Sequence, residues 1–353
     1  MTASTMQAQS PTAPSSVAPE APRAPARWQA WRHWLGQRPS VFTLALIVLV
    51  CLVVGAINPS FFQLPVLFDI VRACTVVGLF ALGVLIVLAA GGIDVSFAAI
   101  AALTMYSITK LVLNYFPDTH IAVLLVAGAA SGAVLGVLNG LLVHWLKAPS
   151  LIVTIGTQYL YRGILLTFVG TVFFMNVPAP MDAFGKLALW RFDTPQGLHV
   201  VLPATVLVLA GAAVLTWWLL NRTLIGRAVY AIGGSLTIAE RLGYNLRTVH
   251  IFVFAYAGFL SGLAGIVHVS STRLANPFDL VGNELDVIAA VILGGARITG
   301  GSGTVGGTLL GVVLVTLINN VLILAGVPST WQKVIIGAFI LVAGACFAMR
   351  KQG

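Results

Sequence analysis

The sequence predicts an all-α polytopic membrane helical bundle with about ten transmembrane segments and both termini in the cytoplasm. Of 353 residues, 59% are hydrophobic and only 8% are charged, whereas soluble domains carry about 25% charged residues. The apolar residues form runs close to the roughly 20 residues that a spanning helix needs. Basic residues lie mainly between these runs, which is the pattern of the positive-inside rule.

The apolar runs define the predicted spans and one transmembrane domain over residues 41–349. In chain order, the spans are Val41–Asn58, Ile70–Ala90, Phe97–Asn114, Ile121–Val143, Leu151–Phe173, Val200–Leu220, Ile251–Val269, Leu285–Leu293, Thr304–Leu324 and Trp331–Met349. The Leu285–Leu293 run is too short for a full crossing, so it predicts a re-entrant or broken segment. Alternating the spans places Lys147 and Arg297 on the cytoplasmic side, and Arg273 outside.

Residues 1–40 predict a disordered cytoplasmic tail that ends in a basic-aromatic juxtamembrane segment. The first 26 residues are rich in Ala, Pro, Ser and Thr, a composition that cannot build a core. Arg32 and Arg38, interleaved with Trp31 and Trp34, suit the headgroup region on the cytoplasmic side. The net charge of +9 therefore follows membrane topology and does not indicate nucleic-acid binding.

One long basic segment, residues 221–250, interrupts the apolar runs. It holds four arginines and one acid, Glu240, and such charges are too costly to place in hydrocarbon. We therefore expect a cytoplasmic loop. Ser235–Leu242 predicts a short helix in this loop, because Ser235 is a favourable N-cap and Gly243 follows the helix. The helix is either a handle for a partner or a solvated connector.

Glycines recur at every fourth residue along three of the predicted spans. This spacing places them on one helix face, where another helix can approach closely. The glycines with this spacing are Gly128, Gly132, Gly136 and Gly140, then Gly258 and Gly262, and later Gly303, Gly307 and Gly311. The pattern favours tight static packing over a sliding surface.

Enzyme motifs do not emerge from the sequence. It contains no GxxxxGK[ST] phosphate loop and no HExxH, and the GxGxxG at 301–306 does not follow a strand. The histidines lack metal-ligand spacing, and Cys51, Cys74 and Cys346 lie in apolar runs. We therefore expect no catalytic, cofactor or metal site. Ionisable residues inside the spans are also few, which favours transport driven by a partner over a proton relay.

Asp94 is the most informative acid, in the sequence GGIDVS at 91–96. With no basic neighbour, its carboxylate needs a wet cavity or backbone donors. It is either an N-cap of the following span or part of a solute pathway. Asn319 and Asn320, midway along a late span, likewise need polar partners in the bundle or a channel.

Several longer motifs extend from about residue 40 to 349. They are GGIDVS at 91–96, PSLIVTIGTQYLYRG at 149–163, RAVYAIGGSLTIAERLGYN at 227–245 with Gly226 before it, NELDVIAAVILGGARITGGSGTVGGTLLG at 283–311 and INNVLILAGV at 318–327. On these motifs the chain resembles the permease subunits of bacterial ABC importers of the ribose-type sugar class.

The resemblance implies an ABC importer permease fold in the bacterial inner membrane. It also implies a second permease copy, a periplasmic solute-binding protein and a cytoplasmic ATP-binding subunit, with ATP hydrolysed on that separate subunit. The residues that would couple to the ATP-binding subunit are Gly226, Arg227, Gly234, Ser235, Ala239, Glu240, Arg241 and Gly243. Those expected to line the pathway are Asp94, Ser96, Asn319 and Asn320, and those expected to contact the binding protein are Arg273, Asp279 and Glu284.

Three alternatives stay open on the sequence alone. The solute is a monosaccharide or another small polar molecule, such as a branched-chain amino acid or a signalling furanone. The chain could instead be a self-sufficient secondary transporter. A membrane scaffold without transport is the third interpretation.

Overall fold

A computed structural model describes residues 39–193 and 199–324, together with single positions between 328 and 341. The predicted tail over residues 1–40 lies outside this part except for its last two residues. Most of the predicted span Trp331–Met349 also lies outside the described residues.

The described chain is a bundle of helices with one short β-hairpin. The helices are α1 Pro39–Ile57, α2 Leu64–Ala89, α3 Phe97–Tyr115, α4 Ile121–Leu146, α5 Ser150–Ile164, α6 Ala179–Lys186, α7 Val206–Arg222, α8 Leu224–Gly234, α9 Leu236–Arg241, α10 Leu246–Thr272, α11 Glu284–Leu293 and α12 Val305–Leu324. A 3-10 turn, Pro59–Phe62, follows α1, and a π-helix, Leu165–Val169, extends α5. The strands are β1 Ala188–Asp193 and β2 His199–Pro203, paired antiparallel.

Six described helices are long and apolar enough to cross a membrane, namely α2, α3, α4, α5 with its π-helical extension, α10 and α12. Helices α7 and α8 would add a seventh span if taken as one segment bent by 73°. Helix α1 holds a shorter apolar stretch, Ser40–Ala56. The all-α membrane bundle is therefore confirmed, while the count of ten spans stays a prediction.

Among the described helices, α4 and α10 pack most closely, and they run antiparallel. Gly128 of α4 lies against Gly262, and Gly140 lies against Ile251. A Cβ added at Gly132 would lie 2.8 Å from the Gly262 amide nitrogen, closer than a Cβ atom can approach without displacing its neighbour. The predicted glycine face therefore exists, and it lets two backbones pack in direct contact.

Helix α2 lies at the centre of the bundle and packs against α10, α12, α11 and α7. Its second half is fully enclosed by protein: Leu82, Leu85 and Ile86 are all 0% exposed. A segment that is apolar on every side can be surrounded by lipid or by protein, and here neighbouring helices surround it. This stretch is therefore the structural core.

Helix α11 has ten residues and is about 15 Å long, roughly half of a bilayer core. Gly294 ends it, and a non-helical glycine-rich run leads to α12. Gly307 and Gly311 of α12 pack against Gly294 and Ala290, respectively. The prediction of an interrupted segment between residues 285 and 303 is confirmed in this broken form.

The connection between the predicted spans Leu151–Phe173 and Val200–Leu220 contains structure that was not predicted. It holds α6 and most of the hairpin, and β2 extends into the first residues of the predicted span Val200–Leu220. Val200 and Val201 pair with Phe192 and Arg191, and β-branched residues favour such pairing. The predicted start of this span is therefore wrong, and its helix begins at Val206.

Candidate functional site

The short helix α9 is confirmed by the structure. Ser235 is its N-cap and accepts a hydrogen bond from the Ile238 amide at 3.4 Å. Gly243, with a φ of +82°, follows the helix in the left-handed conformation. The preceding residues, predicted as loop, form α8, whose first turn is capped by Thr223 through the Gly226 amide at 3.1 Å.

Helix α9 and the residue after it leave three apolar side chains uncovered. Leu236 is 52% exposed, Ile238 59% and Leu242 67%, whereas Ala239 is fully buried against the bundle. Among the other predicted coupling residues, Arg227, Gly234, Glu240, Arg241 and Gly243 are exposed, Ser235 is half-buried and Gly226 is buried. The helix therefore presents a mixed apolar and charged surface at one end of the bundle.

A glycine junction, defined here as Gly91, Gly233, Gly300 and Gly301, connects α9 to the transmembrane helices. A Cβ at Gly233 would overlap the Ala89 carbonyl oxygen and lie 2.5 Å from the Gly301 nitrogen. The Gly301 amide donates to that same Ala89 oxygen at 3.0 Å. The α8–α9 connection, the end of α2 and the run before α12 therefore meet backbone to backbone.

A buried polar network surrounds the GGIDVS turn between α2 and α3. Asp94 Oδ1 accepts hydrogen bonds from the amide and the hydroxyl of Ser96, both at 2.7 Å. Asn139 of α4 donates to Ser96 Oγ at 2.7 Å and accepts from the Tyr161 hydroxyl of α5 at 2.9 Å. The network thereby ties the turn to two neighbouring helices.

Replacing Asn139 with leucine is expected to lower the stability by about 1–3 kcal/mol, because it leaves the Ser96 hydroxyl and the Tyr161 hydroxyl with fewer partners in a buried place. The apparent melting temperature of the detergent-purified protein measures this loss. Asn114→Leu, at an exposed position near the end of α3, is the control and should stay close to wild type. Equal melting temperatures for both variants would contradict a stabilising network.

The backbone of the same turn is held by side chains from α5. Ser150 Oγ accepts from the Ile93 amide at 2.8 Å, and Thr154 Oγ1 accepts from the Val95 amide at 3.3 Å. Ser96 is the N-cap residue of α3, and Asp94 binds Ser96 rather than an amide of the helix itself. The expectation that Asp94 caps the helix directly is therefore wrong, because it precedes the N-cap position by two residues.

An outer cavity of about 580 Å³ opens at the end of the bundle opposite to α9. Its polar wall includes Arg72 of α2, His268 of α10 and Asn283, and its floor includes Phe80 and Phe97. The two phenylalanine rings lie 5.1 Å apart. The topology predicted from the sequence assigns this end to the exterior.

An inner cleft of about 340 Å³ lies beside α9. Gly91, Gly92, Ser150, Gly233 and Ser235 are among its lining residues. The inner cleft and the outer cavity share no lining residue.

The central segment, defined as residues 91–97, lies between the two cavities. Gly91 and Gly92 line the inner cleft, Phe97 lines the outer cavity, and Asp94 and Ser96 between them are 1% and 0% exposed. This segment, together with the buried half of α2, therefore separates the two cavities in this conformation.

The predicted pathway residues are therefore only partly brought together. Asp94 and Ser96 lie in the central segment, and neither lines a cavity in this conformation. Asn319 and Asn320 are half-buried on α12, and Asn320 donates to the Thr316 carbonyl of its own helix at 2.9 Å. Neither asparagine is among the lining residues of the outer cavity or the inner cleft.

The three residues predicted to contact the binding protein differ in their exposure and in their hydrogen-bond partners. Arg273 is exposed and lines the outer cavity, and Asp279 pairs with His268 at 3.4 Å. Glu284 is only 8% exposed, and its carboxylate accepts from Gln158 and the Gly282 amide, both at 2.9 Å. Glu284 therefore begins α11, and its carboxylate is engaged within the bundle.

Sequence reasoning missed the cavity-lining residues Arg72, Phe80, Phe97, His268 and Asn283. A usable signal existed for Arg72 and His268, which are ionisable residues inside predicted apolar spans and need a polar environment. The phenylalanines carried no signal, because aromatic residues are common on every face of a membrane helix.

A bundle of apolar helices that encloses a cavity at each end, with a buried partition between them, is the architecture of a membrane transport protein. The family model described as "Branched-chain amino acid transport system / permease component" matches residues 66–344. The chain belongs to this family and is a ribose-type permease of ABC importers. It is a transport component and a multi-pass protein of the bacterial inner membrane.

Three similar proteins are named permeases. The ribose import permease protein RbsC of Escherichia coli is 32% identical over 305 residues, covering 85% of this chain and 90% of that protein. RbsC of Bacillus subtilis is 36% identical over 301 residues, with 85% and 89% covered. The autoinducer 2 import system permease protein LsrC of Yersinia pseudotuberculosis is 33% identical over 305 residues, with 86% and 83% covered. No solved structure matches the chain.

Proposed function

We propose that this chain is the membrane subunit of an ATP-driven importer that moves a monosaccharide or a similar small polar solute across the inner membrane. A separate cytoplasmic subunit binds and hydrolyses the ATP, and a periplasmic binding protein delivers the solute. A second permease copy, identical or related, completes the membrane part.

The observation that carries the proposal is the exposed surface of α9. Leu236 and Ile238 of this six-residue helix and Leu242 directly after it are each more than half exposed. An isolated helix of this length is unstable in water, so its contacts with the bundle hold it in place. Exposed apolar side chains next to Glu240 and Arg241 form the kind of surface that a partner protein covers.

The glycine junction supports a mechanical connection between this surface and the solute route. Gly233 contacts the end of α2 and the run before α12 without intervening side chains, and Gly91 begins the central segment. Packed backbones transmit displacement as rigid bodies. When the ATP-binding subunit moves α9, the junction therefore shifts the central segment and exchanges access between the outer cavity and the inner cleft.

We also propose roles for the predicted pathway residues and for the predicted contacts with the binding protein. Asp94 and Ser96 line the solute pathway once the central segment has moved. Asn319 and Asn320 contact the solute only in a conformation other than the one described. Arg273 and Asp279 lie at the outer end, where they contact the binding protein. The burial of Glu284 removes it from that contact surface.

A second solute class is supported by one comparison. LsrC is named as an autoinducer 2 permease and resembles this chain as closely as the ribose permeases do. A furanone-type signal molecule is therefore the second candidate solute for the same importer.

Affinity purification tests the proposed partner. The detergent-solubilised wild-type chain is expected to recover an ATP-binding subunit, and the double variant Leu236→Ser/Ile238→Ser to recover about tenfold less, because two apolar contacts are lost. Glu240→Ala/Arg241→Ala is expected to weaken recovery in the same direction. The subunit is identified by mass spectrometry.

Lys147→Asn is the matched control. Lys147 is exposed at the same end of the bundle with a φ of 50°, a conformation that asparagine tolerates. It should recover the subunit as wild type does. Recovery of the chain alone, with solute uptake in vesicles that lack ATP, would instead establish a secondary transporter.

A further inference from the structure

Helix α7 carries an open apolar groove of about 700 Å³. Every described residue that lines it belongs to this one helix, and none of these residues is charged. Val214 is 65% exposed in the groove, and a Cβ at Gly211 would meet nothing within 4 Å. Because a membrane span is predicted over this helix, the groove faces lipid chains or another membrane segment.

The groove ends at two tryptophans and an arginine. Trp217 and Trp218 line its last turn and are both exposed. The Arg222 guanidinium carbon lies 5.8 Å from the centre of the Trp217 ring, which is within the range of a cation–π contact. Tryptophan favours the headgroup level of a bilayer, and arginine near a helix end extends its charge to the same level. The groove therefore has an apolar body and a basic end, as a phospholipid has apolar chains and a phosphate.

The bend between α7 and α8 carries a second positive charge. Helix α8 turns from α7 by 73°, so it runs across the end of the bundle instead of continuing along it. Arg222 is the last residue of α7, Arg227 is the fourth residue of α8, and both are exposed. In the described part of the chain, neither arginine has a carboxylate within ion-pair distance. Both charges therefore remain available to an anion.

A second copy of the chain is the competing occupant of the α7 groove. Two identical chains with the same orientation in one membrane are related by a two-fold axis along the membrane normal. A contact through the groove would therefore place the basic end of one copy against the basic end of the other. Like charges that face each other across a contact cost free energy. The charge at this bend thus favours an anionic lipid over a second copy.

We propose that the α7 groove and the bend after it form a binding site for an anionic phospholipid. An acyl chain lies along Leu207 and Val214, the phosphate binds the Arg222 guanidinium, and Arg227 adds to the positive field. A zwitterionic lipid also has a phosphate, but its ammonium group opposes the positive charges at the bend. The bound headgroup stabilises the bend, and through α8 it holds the connection to α9 in place.

Native mass spectrometry tests this site without relying on transport. The full-length chain, with its co-purifying subunits, is depleted of lipid in detergent and then offered equal amounts of two phospholipids with identical acyl chains. Phosphatidylglycerol is anionic and phosphatidylcholine is zwitterionic, so the ratio of the two in the first lipid-bound species measures the effect of headgroup charge. Wild type is expected to bind phosphatidylglycerol at least about fivefold more than phosphatidylcholine.

Arg222→Gln is expected to lower this ratio about fivefold, because one charged contact with the headgroup is lost. Lys147→Asn is the matched control, since it removes one exposed positive charge at the same end of the bundle but lies outside the groove. Its ratio should equal that of wild type. Melting temperatures in phosphatidylcholine, expected to be equal for all three proteins, verify that the variants are folded.

Equal binding of the two lipids by wild type would overturn the proposal, as would an unchanged ratio in R222Q or the same loss in K147N. Val214→Cys, in a chain whose Cys51, Cys74 and Cys346 are replaced by alanine, tests the competing occupant. This variant should stay monomeric when oxidised in membranes, because lipid covers the groove. A disulfide between two V214C chains would instead assign this face to a second copy and overturn the lipid site.

Discussion

Replacing Gly233 with alanine is expected to abolish solute uptake while the chain still inserts into the membrane. The added Cβ would overlap the Ala89 carbonyl oxygen and lie 2.5 Å from the Gly301 nitrogen. Both obstacles are backbone atoms, so no side-chain rotation relieves the clash. The α8–α9 connection must then separate from the end of α2, which breaks the proposed path from the ATP-binding subunit to the central segment.

An exposed glycine outside the coupling region provides a matched control. A Cβ at Gly156 of α5 meets nothing within 4 Å, so Gly156→Ala should transport within about twofold of wild type, in keeping with the small effect of most surface substitutions. Uptake of labelled sugar and ATP hydrolysis are measured in the same proteoliposomes. If Gly233→Ala transported as well as Gly156→Ala, the glycine junction would have no coupling role.

The largest effect on stability is expected from Gly132→Ala in α4. A Cβ there would lie 2.8 Å from the Gly262 nitrogen and 2.9 Å from the Gly262 Cα, so α4 and α10 must move apart. Overpacking of this kind costs about 1–3 kcal/mol, and occasionally more. The variant should melt at a clearly lower temperature in detergent than wild type.

Gly211→Ala in α7 is the control for this substitution. A Cβ at Gly211 meets nothing within 4 Å, and alanine is the better helix former by about 1 kcal/mol. Its melting temperature should therefore equal or exceed that of wild type. If both variants melted at the same temperature as wild type, the α4–α10 contact would not limit stability.

The features that sequence analysis predicted well are those with a strong local signal. Apolar runs predicted most helix positions, the four-residue glycine spacing predicted that the glycine faces of α4 and α10 pack closely against other helices, and the Ser235 cap with Gly243 predicted α9. Each of these signals depends on residues within one helix or on one helix face, so it can be interpreted without knowledge of the tertiary structure.

The features that were missed depend on contacts between distant segments. Phe80 and Phe97 become a cavity floor only because the central segment brings α3 back against α2. The burial of Glu284 follows from its contact with Gln158, more than a hundred residues away. The hairpin formed by β1 and β2 was hidden because its strands are short and lie in a polar connection.

The closed central segment has a consequence for the energy metabolism of the cell. A bacterial inner membrane stores ion gradients, and any continuous wet passage through it would discharge them. Asp94 and Ser96, at 1% and 0% exposure, lie with the fully enclosed Leu82 and Leu85 of α2 between the two cavities, so we expect this packing to leave no wet passage from one cavity to the other. The hydrogen bonds that hold this segment in place therefore also protect the membrane potential while the importer is idle.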